Sequence, residues 1–411
     1  MAALVGCGSK THAEDDSATL QTAPPQCARA TASALGQVAE HVYREIAGGR
    51  IARPAVQRVA RSPALIAAAL ADDPAAARAA LRPLLRKQLV RLRVTIQGHT
   101  LLEYGSANAV APVSAPLKDA AGRTIGKVVA SEQGVLGYAD TVHTITQAQI
   151  FVRTSSRTLG GSTGPAPGSI PTEGEIPYRG IRYSVYSFAG TGFPSVAVRT
   201  FVLTPPPPAS TCARTVAETT ADTIGAAAKR IYDYEQSGGK TKAVVRDFEH
   251  SRPFQEAVAN DDPLATEAAI VAFFKSTLHV VRVRATLGEK LVADVGGPHV
   301  LAPIGGDVRD VRGRVVGHFL LSVQDDLGYV ILSHRFTGAQ VFLRQGDQQM
   351  VGNASPGPTT IPDRGELIYR GIRYQAYSFM AEAFPSGALR VSLLMPPTSE
   401  KEGRGSIDLN D

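Results

Sequence analysis

Apolar residues recur at helical spacing near the start of the chain. They lie three or four positions apart at Leu35, Val38, Val42 and Ile46. This pattern predicts an amphipathic helix that ends at a glycine pair. A second helix is predicted over Pro63–Leu70, and Asp72-Asp73-Pro74 is typical of the N-terminus of a third helix, which runs to about Gln88.

After these helices the pattern changes to the alternation of β-strands. The strands predicted in the first half are Val90–Ile96, Leu101–Tyr104, Thr124–Ser131, Gln149–Arg153, Tyr178–Phe188 and Val196–Leu203. Residues Gly134–Val142 are expected to form a short helix or an irregular crossover. The segment between the second and third strands is rich in Pro and Ala and is interpreted as a loop.

The second half repeats the order of the first. Helices are predicted over Cys212–Gln236 and from Asp261-Asp262-Pro263 to about Phe274. The predicted strands are His279–Thr286, Lys290–Val295, Arg314–Val323, Ala339–Arg344, Ile368–Phe379 and Leu389–Leu394. Since helices come first in each half and an antiparallel-type sheet follows, the predicted fold class is α+β, not alternating βαβ.

The two halves are related by an internal duplication. YRGIRYSVYSF at 178–188 and YRGIRYQAYSF at 369–379 agree at nine of eleven positions, at an offset of 369 − 178 = 191. The same offset relates His143 to His334, and GRTIG at Gly122 to GRVVG at Gly313. A constant offset over this much of the chain predicts one domain present twice, each copy with its own core.

The predicted boundaries follow from this repeat. Residues 1–26 are interpreted as a lipoprotein-like N-terminus and tether, 27–204 as the first domain and 212–397 as the second. Four consecutive prolines begin a stiff linker over 205–211. Residues 398–411 are charged, lack apolar periodicity and are predicted to be disordered.

Composition and charge exclude two classes of partner. The 411 residues carry a net charge of +6, but arginine is spread through both copies, without a basic stripe interleaved with aromatic residues. Nucleic acid is therefore not an expected partner. No apolar run reaches 18 residues, so membrane contact is expected only through a lipid anchor.

The three cysteines suggest a cellular location. Leu4-Val5-Gly6-Cys7 resembles a bacterial lipobox, in which the cysteine is lipidated, although only six residues precede Cys7. Either the true start lies upstream or the match is accidental. Cys27 and Cys212 then form an even pair at the heads of the two copies. They are either a disulfide of an extracytoplasmic protein or two unrelated buried thiols.

The sequence contains none of the catalytic patterns that we sought. H-E-x-x-H, G-x-S-x-G and C-x-x-C are all absent, so the chain is interpreted as a non-enzyme. His143 and His334 are a matched pair without Asp, Glu or Cys at ligand spacing, which favours a structural role. No metal and no cofactor are expected.

The repeated YRGIRY segment supplies the candidate ligand-binding residues. Read as one alternating strand, it places Tyr369, Arg373, Gln375 and Tyr377 on one face, and Arg182 and Tyr186 on the equivalent face of the first copy. An arginine between tyrosines suits a carboxylate or phosphate group. Alternatively, the tyrosines are simply good strand formers and the arginines pair with carboxylates of the protein. The first copy has Ser184 in place of Gln375, so the two sites need not bind the same ligand.

The turn from Asp310 to Gly313, followed by Val315-Val316-Gly317, has Asp119, Gly122 and Gly126 as its counterparts in the first copy. With the leading helix, the Asp-Asp-Pro helix start and the strand order, this passage resembles the Cache (PDC sensor) family. The resemblance covers both copies and implies two tandem PAS-like domains. In each, a long N-terminal helix packs on one side of an antiparallel sheet, and small ligands bind on the other side beneath the loops.

Together these observations predict an extracytoplasmic protein that binds a small molecule, expected to be an organic anion. It is expected to lack its own signalling output domain, to be lipid-anchored or secreted, and to act through a membrane-bound signalling partner. The ligand should raise the melting temperature, and Arg373→Ala should abolish that increase. The alternative is a structural or interaction protein of the cell envelope whose pockets are degenerate.

Overall fold

The structure is a computed structural model that describes residues 23–84, 89–105, 108–277, 280–297, 299–384 and 387–397. Three sequence predictions lie wholly or mostly outside these ranges: lipidation of Cys7, the tether before residue 23, and the disordered tail after residue 397. The predicted end of the third helix, near Gln88, also lies outside them.

The first half begins with helices. These are α1 (Pro25–Ala47), α2 (Ala52–Ala60), α3 (Pro63–Leu70), α4 (Pro74–Leu81) and, further along the chain, α5 (Val135–Thr146). The strands are β1 (Arg91–Ile96), β2 (His99–Tyr104), β3 (Ala109–Val110), β4 (Val113–Lys118), β5 (Thr124–Ser131), β6 (Gln133–Gly134), β7 (Gln149–Arg153), β8 (Thr158–Gly161), β9 (Gly174–Tyr178), β10 (Ile181–Gly192) and β11 (Val196–Thr204).

The second half repeats this order. Its helices are α6 (Val216–Ser237), α7 (Gly239–Glu249), α8 (Arg252–Ala259), α9 (Pro263–Ser276) and α10 (Asp326–Thr337). Its strands are β12 (Arg282–Leu287), β13 (Lys290–Gly296), β14 (Val300–Leu301), β15 (Ile304–Arg309), β16 (Val315–Ser322), β17 (Gln324–Asp325), β18 (Gln340–Gln345), β19 (Gln348–Gly352), β20 (Arg364–Tyr369), β21 (Ile372–Phe384) and β22 (Gly387–Met395). The α+β class and the two repeated halves are confirmed.

Each half contains two antiparallel sheets, where the sequence predicted one. The small sheets have the orders β2-β1-β5-β4 and β13-β12-β16-β15. The large sheets have the orders β6-β3-β10-β11-β7-β8 and β17-β14-β21-β22-β18-β19, with β9 beside β10 and β20 beside β21. The interpretation of 112–118 as a loop was wrong, because β4 is an edge strand, where Pro116 is tolerated without a ladder hydrogen bond.

The capping residues explain where the helices begin. Asp73 accepts hydrogen bonds from the backbone amides of Ala75 and Ala76 at 2.9 and 3.0 Å, as the Asp-Asp-Pro pattern predicted. The helix predicted from Cys212 instead begins at Val216. Thr215 and Glu218 form a reciprocal capping box there, and this box fixes the first turn of α6.

The large sheets of the two halves share one hydrophobic core. It contains Ala34 and Ala39 of α1 together with Ala227 and Ala228 of α6, and it continues into both large sheets. Small side chains on the two long helices allow the helices to pack closely. This continuous core differs from the expectation of a separate core for each copy, whereas the small sheets do pack under their own helices.

Equivalent tyrosines join the long helices to the large sheets. Tyr43 of α1 and Tyr232 of α6 are related by an offset of 232 − 43 = 189. The hydroxyl of Tyr43 accepts a hydrogen bond from the backbone amide of Thr191 at 2.6 Å. The hydroxyl of Tyr232 likewise accepts one from the backbone amide of Glu382 at 2.9 Å. The long helices α1 and α6 therefore keep an offset of 189, while the strands and the α5–α10 pair keep 191.

In each half, a pair of arginines joins the small sheet to the large one. Arg91 and Arg93 of β1 donate to the two carboxylate oxygens of Glu103 on β2, at 2.8 and 2.9 Å. The guanidinium of Arg91 also lies 4.7 Å from the ring centroid of Phe193, which follows β10 in the large sheet. The second half repeats this arrangement with Arg282, Arg284, Asp294 and Phe384.

We expect Glu103→Gln to lower the free energy of unfolding by about 1 kcal/mol near neutral pH, because the ion pairs are only partly buried. Burial alone would raise the pKa of Glu103, but the hydrogen bonds and charges of Arg91 and Arg93 outweigh it and hold the pKa below its usual value. Because the pKa of Glu103 is lower in the folded state, its ionised carboxylate stabilises the fold at pH values above the unfolded-state pKa of about 4.3. This contribution disappears as the pH falls through the folded-state pKa.

Urea unfolding measured from neutral to acidic pH tests this expectation. The variant should lose less stability than the wild type as the pH falls below about 4.3. Asp294→Asn is the matched variant in the second half and should behave in the same way, because its carboxylate has the equivalent partners Arg282 and Arg284. Identical pH profiles for the wild type and Glu103→Gln would refute the role assigned to this carboxylate.

Candidate functional site

The YRGIRY segment is a hairpin and not one continuous strand. Arg370 and Gly371 both have positive φ values, 50° and 76°, as do Arg179 and Gly180 in the first half, at 50° and 78°. Two successive residues in this conformation form the tight turn of a two-residue β-hairpin. The strands predicted to run through these positions were therefore wrong in their bounds. Here β9 and β20 end at the first tyrosine, and β10 and β21 begin after the turn.

The turn places Tyr369 on the opposite side of the sheet from the other predicted binding residues. Tyr369 pairs with Ile372 across the hairpin, so it shares a side with Tyr374. Its ring is buried against Phe342, and its hydroxyl donates to the carbonyl of Pro356 at 2.7 Å. The prediction that Tyr369 and Arg373 share one face of the sheet was therefore wrong.

The predicted binding arginines already have carboxylate partners. Arg373 donates to Glu366 on β20 at 2.9 Å, and Gln375 donates to the same carboxylate at 3.3 Å. Arg182 pairs with Glu175 on β9 at 3.3 Å. The side chains of Arg182 and Arg373 are 78% and 66% exposed, so they lie on an open surface. This pairing matches the alternative that the sequence left open, and ligand binding at these residues stays a prediction.

Tyr186 and Tyr377 face the long helices. A Cβ atom on Gly36 of α1 would lie 2.2 Å from the ring of Tyr186, and one on Gly225 of α6 would lie 2.2 Å from the ring of Tyr377. The hydroxyl of Tyr186 donates to Glu40 at 2.9 Å, and burial and this carboxylate raise the pKa of Tyr186. Both tyrosines therefore pack against a glycine of a long helix.

Tyr377 also lines a cavity at the junction of the two halves, which we call the linker cleft. Its volume is about 450 Å³, within the range usual for small-molecule sites. Its walls come from the 204–213 segment, the long helices, the end of α5 and the β20–β21 hairpin. The residues that line it are Thr31, Leu35, Thr146, Gln147, Thr204, Pro205, Pro206, Pro207, Pro208, Ser210, Thr211, Cys212, Ala213, Asp222, Thr223, Ala226, Arg230, Arg364 and Tyr377.

Arg364 forms a fixed wall of the linker cleft. Its Nε lies 2.6 Å from Oδ1 of Asp222 on α6, and its guanidinium carbon lies 3.6 Å from the ring centroid of Tyr377. Its Nη1 also donates to the carbonyls of Asp363 and Ser378, at 2.9 and 3.0 Å. Ion pairing, stacking and backbone hydrogen bonds together hold this side chain in one orientation.

Arg230 is the second guanidinium in the linker cleft. It extends from α6 and donates to the carbonyl of Ile145, in the last turn of α5, at 3.3 Å. Burial lowers its pKa. Thr204 lies in the same wall; it is only 2% exposed, and its hydroxyl has no hydrogen-bond partner among the described residues. The hydroxyl oxygen of Thr204 is itself buried, so the group that the cleft offers to a ligand is the guanidinium of Arg230.

A disulfide lies in the wall of the linker cleft. Cys212, in the cleft wall, is bonded to Cys27 in the first turn of α1, with the two Cα atoms 5.7 Å apart. This separation is ordinary for a disulfide. The bond connects the linker to the start of the first long helix across 185 residues of sequence.

A larger groove, of about 1060 Å³, lies between α8 and the β15–β16 turn. Its charged lining comprises two guanidiniums, of Arg252 and Arg309, and four carboxylates, of Glu249, Glu256, Asp307 and Asp310. Arg309 contacts Asp307 at 2.8 Å, and Asp310 contacts Arg314 at 2.7 Å. Because carboxylates outnumber guanidiniums in its lining, the groove is a weaker candidate for an anionic ligand than the linker cleft.

The matched histidines connect helix ends to strands. Nδ1 of His143 lies 2.7 Å from the carbonyl of Ala148, and Nδ1 of His334 lies 2.7 Å from that of Ala339. Within the described ranges, no group of three or more His, Cys, Asp or Glu side chains is placed to hold a metal ion. No helix in those ranges combines the length and apolar character that a bilayer crossing requires.

Sequence reasoning missed Arg230, Arg364 and Asp222 as residues of a site. One signal was available, namely a difference between the copies. At the helix offset of 189, Arg230 corresponds to His41, and at the strand offset of 191, Arg364 corresponds to Glu173. Unlike side chains at equivalent positions indicate that the two halves have different chemistry there.

Neither a scan against protein-family models nor a search of curated proteins finds a match for the chain. Among solved structures, the chain is similar to the periplasmic domain of LuxQ from Vibrio cholerae. The TM-score is 0.31 and the identity 8%, over 43% of this chain and 100% of that one. It is also similar to an extracellular ligand binding receptor from Desulfohalobium retbaense, with a TM-score of 0.22 and 12% identity, over 38% of this chain and 39% of that one. Membership of the Cache family stays a prediction.

Proposed function

We propose that this protein is an extracytoplasmic binding protein for a small organic molecule and that the linker cleft is its binding site. One observation carries the proposal: a cavity of metabolite size lies at the junction of the two halves and contains a guanidinium, that of Arg230, which has no carboxylate partner among the residues that the structure describes. The enzyme alternative has little support, because the cleft brings together no nucleophile, base and orienting group.

The disulfide supports the proposed location. A bond between Cys27 and Cys212 persists in oxidising compartments and is rare in the cytosol. Lipidation at Cys7 fits the same location and remains part of the proposal, as do the domain boundaries 27–204 and 212–397.

The position of the cleft suggests how binding could be transmitted. Its walls belong to α1 of the first half, α6 of the second half and the linker between them. A ligand held there contacts both halves, so it would favour one arrangement of the halves over others. A membrane-bound signalling partner that recognises this arrangement would complete the proposed sensor role.

A thermal-shift screen of amino acids, organic acids, sugars and nucleotides tests the binding proposal. We expect at least one compound to raise the melting temperature of the wild type. Ala226→Trp should abolish that increase, because Ala226 lines the cleft and an indole ring would fill it. Gln37→Trp is the matched control, since Gln37 occupies the equivalent position of α1 at 226 − 189 = 37 and lies outside the cleft.

Two results would argue against the linker cleft. An equal increase in the wild type and Ala226→Trp would place the ligand elsewhere. In that case Arg373→Ala decides whether the strand face predicted from the sequence is the site, whereas binding in the cleft should leave this variant unaffected. No increase with any compound would favour the alternative of a structural envelope protein.

A further inference from the structure

The guanidinium of Arg230 has fewer partners within the protein than that of the buried Arg344. A guanidinium has five N–H donors, and in the described part of the chain that of Arg230 makes one hydrogen bond, to the carbonyl of Ile145 at 3.3 Å. Within the described ranges, no carboxylate oxygen lies within 4.0 Å of it. The C-terminus of α5 supplies only a partial negative charge. A partly buried charge in this setting gains free energy from a counter-ion.

Arg344 is a buried arginine whose guanidinium is engaged by backbone carbonyls of the protein. It is 6% exposed, and it donates to the carbonyls of Pro358 and Thr359, each at 2.7 Å, and to that of Asp347. Its donors are used within the protein, so no ligand is needed there. Arg230 has a similar need for partners, but it lines an open cavity.

The carboxylates of α6 nearest to Arg230 are already engaged. Asp222 pairs with Arg364 at 2.6 Å, and Asp233 pairs with Lys229 through both oxygens at 2.8 Å. The side chains that line the cleft therefore include two guanidiniums and one carboxylate, which is an excess of one positive charge.

We infer that the linker cleft takes an anionic ligand of the carboxylate or phosphate class, which pairs with Arg230. This inference rests on the proposed function and deepens it. A guanidinium offers parallel donors that match both anions, and enclosure strengthens the pairing relative to water. Arg364, held by Asp222 and Tyr377, would orient the remainder of the ligand.

The first half has no arginine at the position equivalent to Arg230. Its counterpart of Arg230 is His41, and burial, together with the charge of Arg44, lowers the pKa of His41. A Cβ atom on Gly338 would lie 2.8 Å from the His41 ring, so that ring packs against the end of α10. The counterpart of Arg364 is Glu173. One anion per chain is therefore expected, and not one per repeat.

Calorimetric titrations with succinate, citrate and inorganic phosphate test the inference, with succinamide as the uncharged control and sodium chloride at matched ionic strength as the salt control. At least one anion should bind, whereas succinamide should not. Arg230→Gln should weaken anion binding by roughly 10- to 100-fold, the range for loss of a charge-assisted hydrogen bond. Arg230→Lys should retain part of the affinity, and His41→Gln should bind like the wild type.

Folding of the variants is checked without ligand. Because Arg230→Gln removes an uncompensated charge, its melting temperature should equal or exceed that of the wild type. The inference is overturned if none of the three anions binds, if succinamide binds equally well, or if Arg230→Gln binds the anions as the wild type does. The proposed function still stands if another compound binds the wild type and Ala226→Trp removes that binding. The proposed function is overturned too if Ala226→Trp leaves the binding of every compound unchanged.

Discussion

Replacing both Cys27 and Cys212 by serine should lower the free energy of unfolding by about 3–5 kcal/mol, the largest loss of stability that we expect from any of these variants. The bond closes a loop of 185 residues, and a cross-link over so long a loop strongly restricts the unfolded chain. It also attaches the linker to α1, so its loss should weaken binding in the linker cleft. Urea unfolding of the wild type and the double variant measures the difference.

Reduction of the wild type is the control for this experiment. A thiol reductant should lower the unfolding midpoint of the wild type toward that of the double variant and leave the variant unchanged. Cys7 is present in both proteins, so its chemistry cancels in the comparison. Equal midpoints for the oxidised wild type and the variant would show that the bond contributes nothing to stability.

Gly225→Ala should destabilise the protein by about 1–3 kcal/mol, although alanine is the better helix former by about 1 kcal/mol. The added Cβ would lie 2.2 Å from Cγ and Cδ1 of Tyr377. Because Cγ is close to the backbone of β21, the ring cannot turn away without moving the strand or the helix. Thermal unfolding of the variant measures the net effect.

Two further variants isolate the contact between Gly225 and Tyr377. Gly137→Ala is the matched control, since its new Cβ meets only the flexible end of Gln133. It should be neutral or stabilising. Adding Tyr377→Leu to Gly225→Ala should recover part of the lost stability, because a smaller side chain leaves room for the methyl group. A Gly225→Ala protein as stable as the wild type would contradict the close packing of α6 on the large sheet.

The local features of the fold could be predicted from the sequence because neighbouring residues determine them. The apolar spacing around Val38 and Val42 predicted α1, and Asp73 and Asp262 are the N-caps that the Asp-Asp-Pro pattern indicated. The repeat offset predicted two equivalent halves. Gly134–Val142, left open between a helix and a crossover, belongs largely to α5.

The hairpin turn was missed because its residues give a weak signal. Asn-Gly and Asp-Gly are the usual two-residue turns, and Arg370-Gly371 replaces the first residue by arginine, which rarely adopts a positive φ. The alternation of tyrosine and arginine continues through the turn, so it resembles one strand. The assignment of Tyr369 to the face of Arg373 followed from this error.

The linker cleft could not be predicted because its residues meet only through long-range packing. Arg230 and Ile145 are 85 positions apart, and they meet because α6 of one half packs against α5 of the other. Tyr377 was singled out for its place in the repeat, but its contact with Arg364 depends on the hairpin that the sequence did not reveal. Residues 205–211 were predicted as a linker, whereas their role as a cavity wall depends on the whole fold.

The central claim is that a small anion binds in the linker cleft, and a crystal structure of the protein with the anion that binds most tightly in the titrations tests it most directly. We expect electron density for that compound between α6 and the 204–213 segment, with an anionic oxygen within hydrogen-bond distance of the Arg230 guanidinium. Density only at the exposed face of Arg373, or only in the groove beside α8, would contradict the claim.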